Sequence, residues 1–242
     1  MRIILMRHGY CKGLKEGIIN GWIDLPLTTK GKQEPIVAAE NIVRLLGQVK
    51  IDKVYASYMS RTYDTACIFS GTLKFKGKVK RDLRLNERHY GMFQGMKRED
   101  AASFSEFNSL SDSDKRLDNR LVPENNVRRA ATLNEYSEKL KKPVKKIESI
   151  IPYSESILDV EQRVLEFLNE QVLIPANENK TILIVTHAST AKLIVKNIEG
   201  LTYKKTSKLR FATCGMKIYD MRYKDENYEI VGEYNINKEW EG

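Results

Sequence analysis

Two apolar runs stand out along the chain. "RIILMR" at residues 2–7 holds four successive apolar positions, Ile3 to Met6, and Gly9 follows closely. A short unbroken run bounded by glycine reads as a strand buried on both faces, as in a parallel sheet, with a buried helix segment as the alternative that periodicity alone leaves open. "TILIVTHAS" at residues 181–189 is a second run of the same kind. Between them the apolar positions take a helical period. "LTTKGKQEPIVAAENIVRLLGQ" places Ile36, Ala39, Val43 and Leu46 at that spacing, with Thr29 as the expected cap and Gly47 as the stop. Pro35 is expected to limit how early regular helix begins. Residues 10–26 read as a glycine-punctuated loop. "KVYAS" at 53–57 predicts a strand leading into a helix opened at Arg61, and "VKRDLRLNERHYG" predicts strand and then loop. "SESILDVEQRVLEFLNEQV" gathers Ile157, Val160, Val164, Phe167 and Leu168 on one helical face, capped by Ser154 or Ser156. The helix after "VTHAS" closes at Gly200, and the last segment predicts an antiparallel hairpin turning around Lys224 to Asn227.

This alternation predicts an α/β protein: a three-layer α/β/α sandwich with a mostly parallel central sheet. No linker or repeat divides the chain, so residues 1–242 are expected to form one domain. Its polar, serine- and charge-rich stretch at about 96–150 is expected to be an insertion or lid.

Candidate chemistry gathers at the strand ends. In open α/β sheets ligands bind beyond the carboxyl ends of the strands. His8 and His187 each follow an apolar run there, Arg7 precedes His8, and Gly9 lets a ligand approach the backbone. Arg61 takes a third position of this type. Arginine suits phosphate, because its planar fork donates several hydrogen bonds while keeping its charge. Two arginines and two histidines around one point make a phosphoryl pocket. A histidine that attacks phosphorus must be neutral, and neighbouring arginines depress its pKa in that direction. His187 can donate to the transferring phosphoryl oxygens. Glu87, beside Arg88 and Tyr90 in "LNERHYG", can protonate a leaving oxygen. Its bland alternative is an ion-paired surface carboxylate. No metal is expected, since the histidines lie far apart in sequence with no carboxylate at ligand spacing.

Composition narrows the partners. The 242 residues are 41% hydrophobic and 30% charged, enough for a sizeable core. No apolar stretch has the length of a membrane span, and the first is too short for a signal peptide. Cys11, Cys67 and Cys214 are odd in number and widely spaced. They predict neither a disulfide framework nor a zinc site, and they fit a reducing cytoplasm. The net charge of +9 suits nucleic acid, a phosphorylated small molecule or a lysine-rich proteome. "KLKKPVKKIE" at 139–148 lacks interleaved aromatics and reads as a solvated face, so no nucleic acid is expected.

Four segments carry a resemblance. "RHG" (7–9), "NGWIDLPLTTKG" from Asn20, "LNERHYGMFQG" from Leu85 and "VTHAS" resemble the cofactor-dependent phosphoglycerate mutase family, within the histidine phosphatase superfamily. The match runs in order from Met1 to about Arg98 and again from about Tyr153 to Tyr219. The resemblance implies the same three-layer fold and makes His8 the residue that becomes phosphorylated. It makes Arg7, Arg61 and His187 the rest of the phosphate pocket, and Glu87 the acid and base. It also implies ligand contacts at Asn20, Gly21, Arg88, Ala188 and Ser189, and a hold on the substrate's carboxylate and distal phosphate by Tyr90 and Arg98. An adjacent basic pair falls at Lys115-Arg116, with Arg128-Arg129 as the alternative. 2,3-Bisphosphoglycerate is the implied donor that primes His8. The implied activity interconverts 2- and 3-phosphoglycerate. The alternatives are a histidine-type phosphatase of a small phosphorylated metabolite and a non-catalytic binding protein. The expected partners are a small phosphorylated substrate and, in assembly, a second copy of the chain.

Several positions depart from the family pattern. Cys11 and Leu14 stand where the family has Ser and Asn, Ser189 replaces an amide, Arg98 stands for Lys, and the tail is short. These losses are expected to weaken retention of a bisphosphorylated intermediate.

Overall fold

The structure is a computed structural model that describes residues 1–104, 126–147 and 153–236, with 126–132 and 147 described by backbone alone. Its sheet has strands β1 (Arg2–Arg7), β2 (Lys53–Ala56), β3 (Val79–Arg81), β4 (Thr181–Thr186), β5 (Met216–Lys224) and β6 (Asn227–Ile236). They lie in the order β3-β2-β4-β1-β5-β6. β3, β2, β4 and β1 run parallel; β5 runs antiparallel to β1, and β6 to β5. The predicted hairpin is present, turning at Asp225 and Glu226, both at positive φ.

The two apolar runs are neighbours. β1 pairs with β4 from Arg2↔Thr181 to Arg7↔Thr186, which sets His8 and His187 side by side one residue past the register. Alternation within β1 explains why the run has no polar gap. Ile3 and Leu5 face a core built with Val160, Val164, Phe167 and Ile194, from helices α7 (Ile157–Phe167) and α8 (Ala188–Glu199). Ile4 and Met6 face the other core, with Ala38, Ala39, Ile42, Ala66 and Phe69 of α2 (Thr29–Leu46) and α3 (Ser60–Thr72). A strand covered on both sides needs apolar residues at every position. The expected α/β/α layering follows.

Helix ends obey their local chemistry. Ser156 caps α7 through a reciprocal capping box with Asp159. Gly200 ends α8 in the left-handed conformation that glycine adopts without strain.

Details of the first third differ from expectation. Thr28, not Thr29, caps α2, its hydroxyl accepting from Gly31 N. The helix runs through Pro35 instead of starting near it, and Pro35 itself is buried. Its buried stripe is Pro35, Ala38, Ala39 and Ile42, while Val43 is 40% exposed. Of the four positions expected to face the core, Ala39 is buried and Leu46 packs against the sheet, while Ile36 is half-buried and Val43 faces outward. The expected loop at 10–26 holds one short helix, α1 (Lys12–Lys15).

The polar stretch contains α4 (Arg98–Ala101), α5 (Asn126–Leu140) and α6 (Val144–Ile147). The expected pair Lys115-Arg116 lies outside the described residues; Arg128 and Arg129 lie in α5. A last short helix, α9 (Tyr203–Lys208), precedes β5. Among the described residues no helix is long and apolar enough to cross a membrane.

Candidate active site

The carboxyl ends of β1, β2 and β4 deliver His8, Ser57 and His187 to one point. His8 and His187 are buried, with ring centroids 5.2 Å apart at 64°. His8 Nδ1 lies 2.7 Å from the Gly9 carbonyl, an acceptor, so that nitrogen carries the proton and Nε2 keeps its lone pair. Burial, then the charges of Arg61 and Arg7, hold the His8 imidazole well below its ordinary pKa. His187 is lowered in the same way, by burial, Arg61 and His8. Both rings are neutral at physiological pH.

Arg61, in the first turn of α3, is fully buried, and its terminal nitrogens donate to Gly21 O and Ile23 O, each at 2.8 Å. This fixes the guanidinium against the loop after α1. Gly21 sits at φ +48, and a Cβ there would overlap the Gln94 side-chain oxygen, which also accepts from Trp22 N at 2.6 Å. Arg7 Nη1 donates to Phe211 O at 2.6 Å. Gly9 N donates to Thr65 Oγ1, one helical turn after Arg61.

Four buried side-chain polar atoms among the described residues make no hydrogen bond: Arg7 Nε, Asn20 Oδ1, Arg61 Nε and His187 Nδ1. All belong to residues singled out from the sequence. Buried polar atoms are nearly always paired in folded proteins, so each of these four calls for a physical reason.

Glu87 lies between this cluster and α8. Its Oε1 accepts from Arg88 N at 2.9 Å, and Oε2 lies 3.4 Å from Ser189 N in the first turn of α8. Ser189 Oγ is 3.2 Å from Tyr90 OH. Ala188 opens α8, where free N–H groups favour an anion. Arg88 is buried and donates from Nε to Glu155 O at 2.8 Å, so that part of its guanidinium braces the loop. Arg98 is exposed at the start of α4, and its charge reaches Arg7 and Tyr90. Asn20 Nδ2 contacts Cys11 Sγ at 3.3 Å, and Leu14 is half-buried in α1 with no side-chain donor.

A family model described as Histidine phosphatase superfamily (branch 1) matches residues 3–149 and 124–235. The chain belongs to this superfamily. Its sequence is 27% identical over 232 residues to the 2,3-bisphosphoglycerate-dependent phosphoglycerate mutase of Staphylococcus epidermidis, covering 94% of this chain and 99% of that one. It is 30% identical to phosphoglycerate mutase 1 of Saccharomyces cerevisiae, covering 93% and 88%. Solved structures of like fold include the alpha-ribazole phosphatase of Shigella flexneri, with TM-score 0.69, 18% identity and 98% and 96% coverage. Another is the Entamoeba histolytica phosphoserine phosphatase in complex with 3-phosphoglyceric acid, with TM-score 0.66, 18% identity and 96% and 95% coverage. The two named sequence relatives are thus mutases, while the two named structural neighbours are phosphatases.

Within this histidine phosphatase fold, several supporting residues escaped the sequence reading. Ser57 Oγ lies 2.8 Å from His187 Nε2 and 2.7 Å from Thr62 Oγ1. Its place at the carboxyl end of β2 was the available signal. Glu34 is buried and accepts from Tyr10 N at 2.6 Å and Thr213 Oγ1 at 3.0 Å, joining two loops at the site. Arg163 pairs with Glu155 and donates to the Arg84, Asn86 and Glu87 carbonyls. No local pattern distinguishes Arg163 from a solvated helix residue.

Proposed function

We propose that this superfamily member is a phosphohistidine enzyme of phosphoglycerate, interconverting the 2- and 3-phospho isomers through His8. One observation carries the reading: neutral His8, its Nδ1 committed to Gly9, faces a pocket whose unpaired polar atoms suit a phosphoester. Arg7 Nε and Arg61 Nε are donors for phosphoryl oxygens. When the Ser57 hydroxyl donates to His187 Nε2, the imidazole proton sits on Nδ1 as a third donor. Asn20 Oδ1 is an acceptor, matching a substrate hydroxyl. This donor set fits 2,3-bisphosphoglycerate, which when bound supplies the phosphoryl group that primes His8.

The residues divide the work. His8 Nε2 attacks phosphorus; the N–P bond forms as the P–O bond breaks, and the departing oxygen takes a proton from Glu87. In the return step an acceptor hydroxyl gives its proton to Glu87 while its oxygen bonds to phosphorus and the N–P bond breaks. The arginines hold the phosphoryl oxygens throughout, where preorganised charge stabilises the transition state without reorganisation.

Water as acceptor makes the same site a phosphatase. This second reading is favoured by Leu14, which has no donor, and by Ser189, whose hydroxyl is occupied by Tyr90. Both stand where the resemblance expects amides that retain the intermediate.

The test is direct. Purified protein exposed to 2,3-bisphosphoglycerate should acquire acid-labile phosphate on a histidine, and His8→Ala should not. Conversion of 3- to 2-phosphoglycerate should rise when the bisphosphate is added. Phosphate release that outpaces isomerisation at saturating bisphosphate assigns the phosphatase reading. Absence of phosphohistidine overturns both.

A further inference from the structure

A buried carboxylate stands one peptide away from His8. Glu34, in the second turn of α2, is buried, and its Oε2 accepts from Tyr10 N at 2.6 Å. The carbonyl of that same peptide unit is Gly9 O, which accepts from His8 Nδ1 at 2.7 Å. The Gly9–Tyr10 amide is thus hydrogen-bonded at both ends, with a carboxylate on its N–H and the imidazole on its C=O. Glu34 Oε1 accepts from Thr213 Oγ1 at 3.0 Å, so both oxygens act as acceptors, the pattern of a carboxylate. Close backbone approach makes this possible. A Cβ on Gly9 would lie 2.4 Å from Gly31 O and 3.3 Å from Glu34 Oε2. The start of α2 also grips the next carbonyl, with Tyr10 O accepting from Thr28 N at 2.9 Å and Thr28 Oγ1 at 3.0 Å. The phosphoryl chemistry above gives Glu34 no part.

We propose that Glu34 is a positioning residue for His8: through the Gly9–Tyr10 peptide it holds the Nδ1 proton and offsets the positive charge that the ring gains on attack. The inference rests on the reading that His8 Nε2 attacks phosphorus. In that step Nε2 gives its lone pair to phosphorus, and the P–O pair leaves on the departing oxygen, which takes the Glu87 proton. The ring, still protonated at Nδ1, becomes cationic. An anion on the amide N–H polarises the peptide and makes Gly9 O a stronger acceptor for that proton. The arrangement resembles the carboxylate that steadies the imidazolium of a Ser-His-Asp triad, with a peptide interposed. Arg61 and Arg7 oppose a cation on the ring, and the His187 ring stands 5.2 Å away. Glu87 acts on the two arginines from across the pocket, and the charge of Glu34 itself also reaches Arg7 and Cys214. Glu34 is thus the anion that acts on His8 from the Nδ1 side, away from the attacking nitrogen.

Single-turnover phosphorylation with 2,3-bisphosphoglycerate tests it. Glu34→Gln keeps the shape and an oxygen for Tyr10 N–H but removes the charge. It should slow the saturated rate of His8 phosphorylation by about five- to thirtyfold, the gap between a charged and a neutral acceptor. The half-saturating concentration should not move, because Glu34 touches no substrate. Nitrogen-15 NMR then follows the proton on Nδ1 of phosphorylated His8 as pH rises. That proton should persist to higher pH in the folded phosphoenzyme than in the same protein unfolded in urea. Glu34→Gln should lower the folded midpoint by up to about one pH unit. Unchanged rate and midpoint in Glu34→Gln overturn the proposal, as does a loss shared equally by rate and affinity, which marks a structural role. If Glu34→Gln does not fold, the wild type decides: a midpoint no higher folded than in urea overturns it. A wild type that takes up no phosphate overturns the phosphohistidine reading and this inference with it. Phosphorylation that proceeds as fast without the Glu34 charge overturns this inference alone.

Discussion

Glu87 illustrates how much of a residue's role depends on its immediate surroundings. Its two oxygens receive the Arg88 and Ser189 backbone N–H groups, which fixes the carboxyl between the histidine pair and α8. A general acid so placed contributes where the leaving oxygen needs a proton. Glu87→Gln should therefore slow turnover of an alkyl phosphoester by about 10²–10⁴. The loss should be far smaller with an aryl phosphate whose leaving group departs as an anion. Steady-state rates on the two substrates check this, and equal losses would make Glu87 a binding or structural residue. At this scale much was legible. Arg7, His8 and His187 are recognisable because they end or follow unbroken apolar strands, and Arg61 because it opens the helix after a third strand. Ser57, Glu34 and Arg163 were not, since a serine, a glutamate and an arginine are ordinary on any surface, and their partners lie far away in sequence.

The loop that carries Glu87 is held by a helix. Arg163 of α7 forks onto Glu155 at 2.8 and 3.0 Å and donates to the Asn86 and Glu87 carbonyls at 2.8 and 3.0 Å. It is a positioning residue, because it touches the loop backbone and not the pocket. Arg163→Lys keeps the charge but cannot reproduce a planar fork that reaches several carbonyls. Misplacing Glu87 by about 1 Å should lower kcat by up to about 10²-fold. KM should move little, and aryl phosphates should be largely spared, as for Glu87 itself. Kinetics on both substrate types test this; a uniform loss would indicate general destabilisation instead. α5 supports the same region from the other side. Tyr136 lies 5.1 Å from Trp22 ring to ring, and Lys139 pairs with Asp24 at 2.8 Å. Element types and order were legible for β1, β2, β4, α3, α7 and α8, whose periods are clean. The buried face of α2 was legible only at Ala39 and Leu46, because Pro35 and Ala38 mark the rest of it.

Across the whole molecule, burying two neutral histidines links stability to pH. Both imidazoles are held well below the ordinary 6.5. Above that pH they are neutral in the folded and the unfolded chain, and they impose no penalty. Below it the unfolded chain binds protons that the folded chain does not, so stability falls with pH. The slope is up to about 1.4 kcal/mol per pH unit for each histidine, until the folded pKa is reached. Replacing His8 by Asn should remove one such contribution. Urea denaturation from pH 7.5 to 5.5 should show wild type losing stability faster than His8→Asn. Parallel losses would mean that His8 takes up its proton in the folded state.

The sequence by itself determined the layers and the polar residues that gather where the apolar strands end. The unbroken run Ile3–Met6 suits a strand covered on both faces, and the residues that follow such a strand emerge at its carboxyl edge. Tertiary structure decided the rest: which strands became neighbours, which nitrogen of His8 carries its proton, and which distant side chains brace the loop of Glu87. Ser57 and His187 meet only because β2 and β4 lie side by side in the sheet. Local patterns record what each segment buries, whereas hydrogen bonds between distant segments depend on relative placement that no local period encodes.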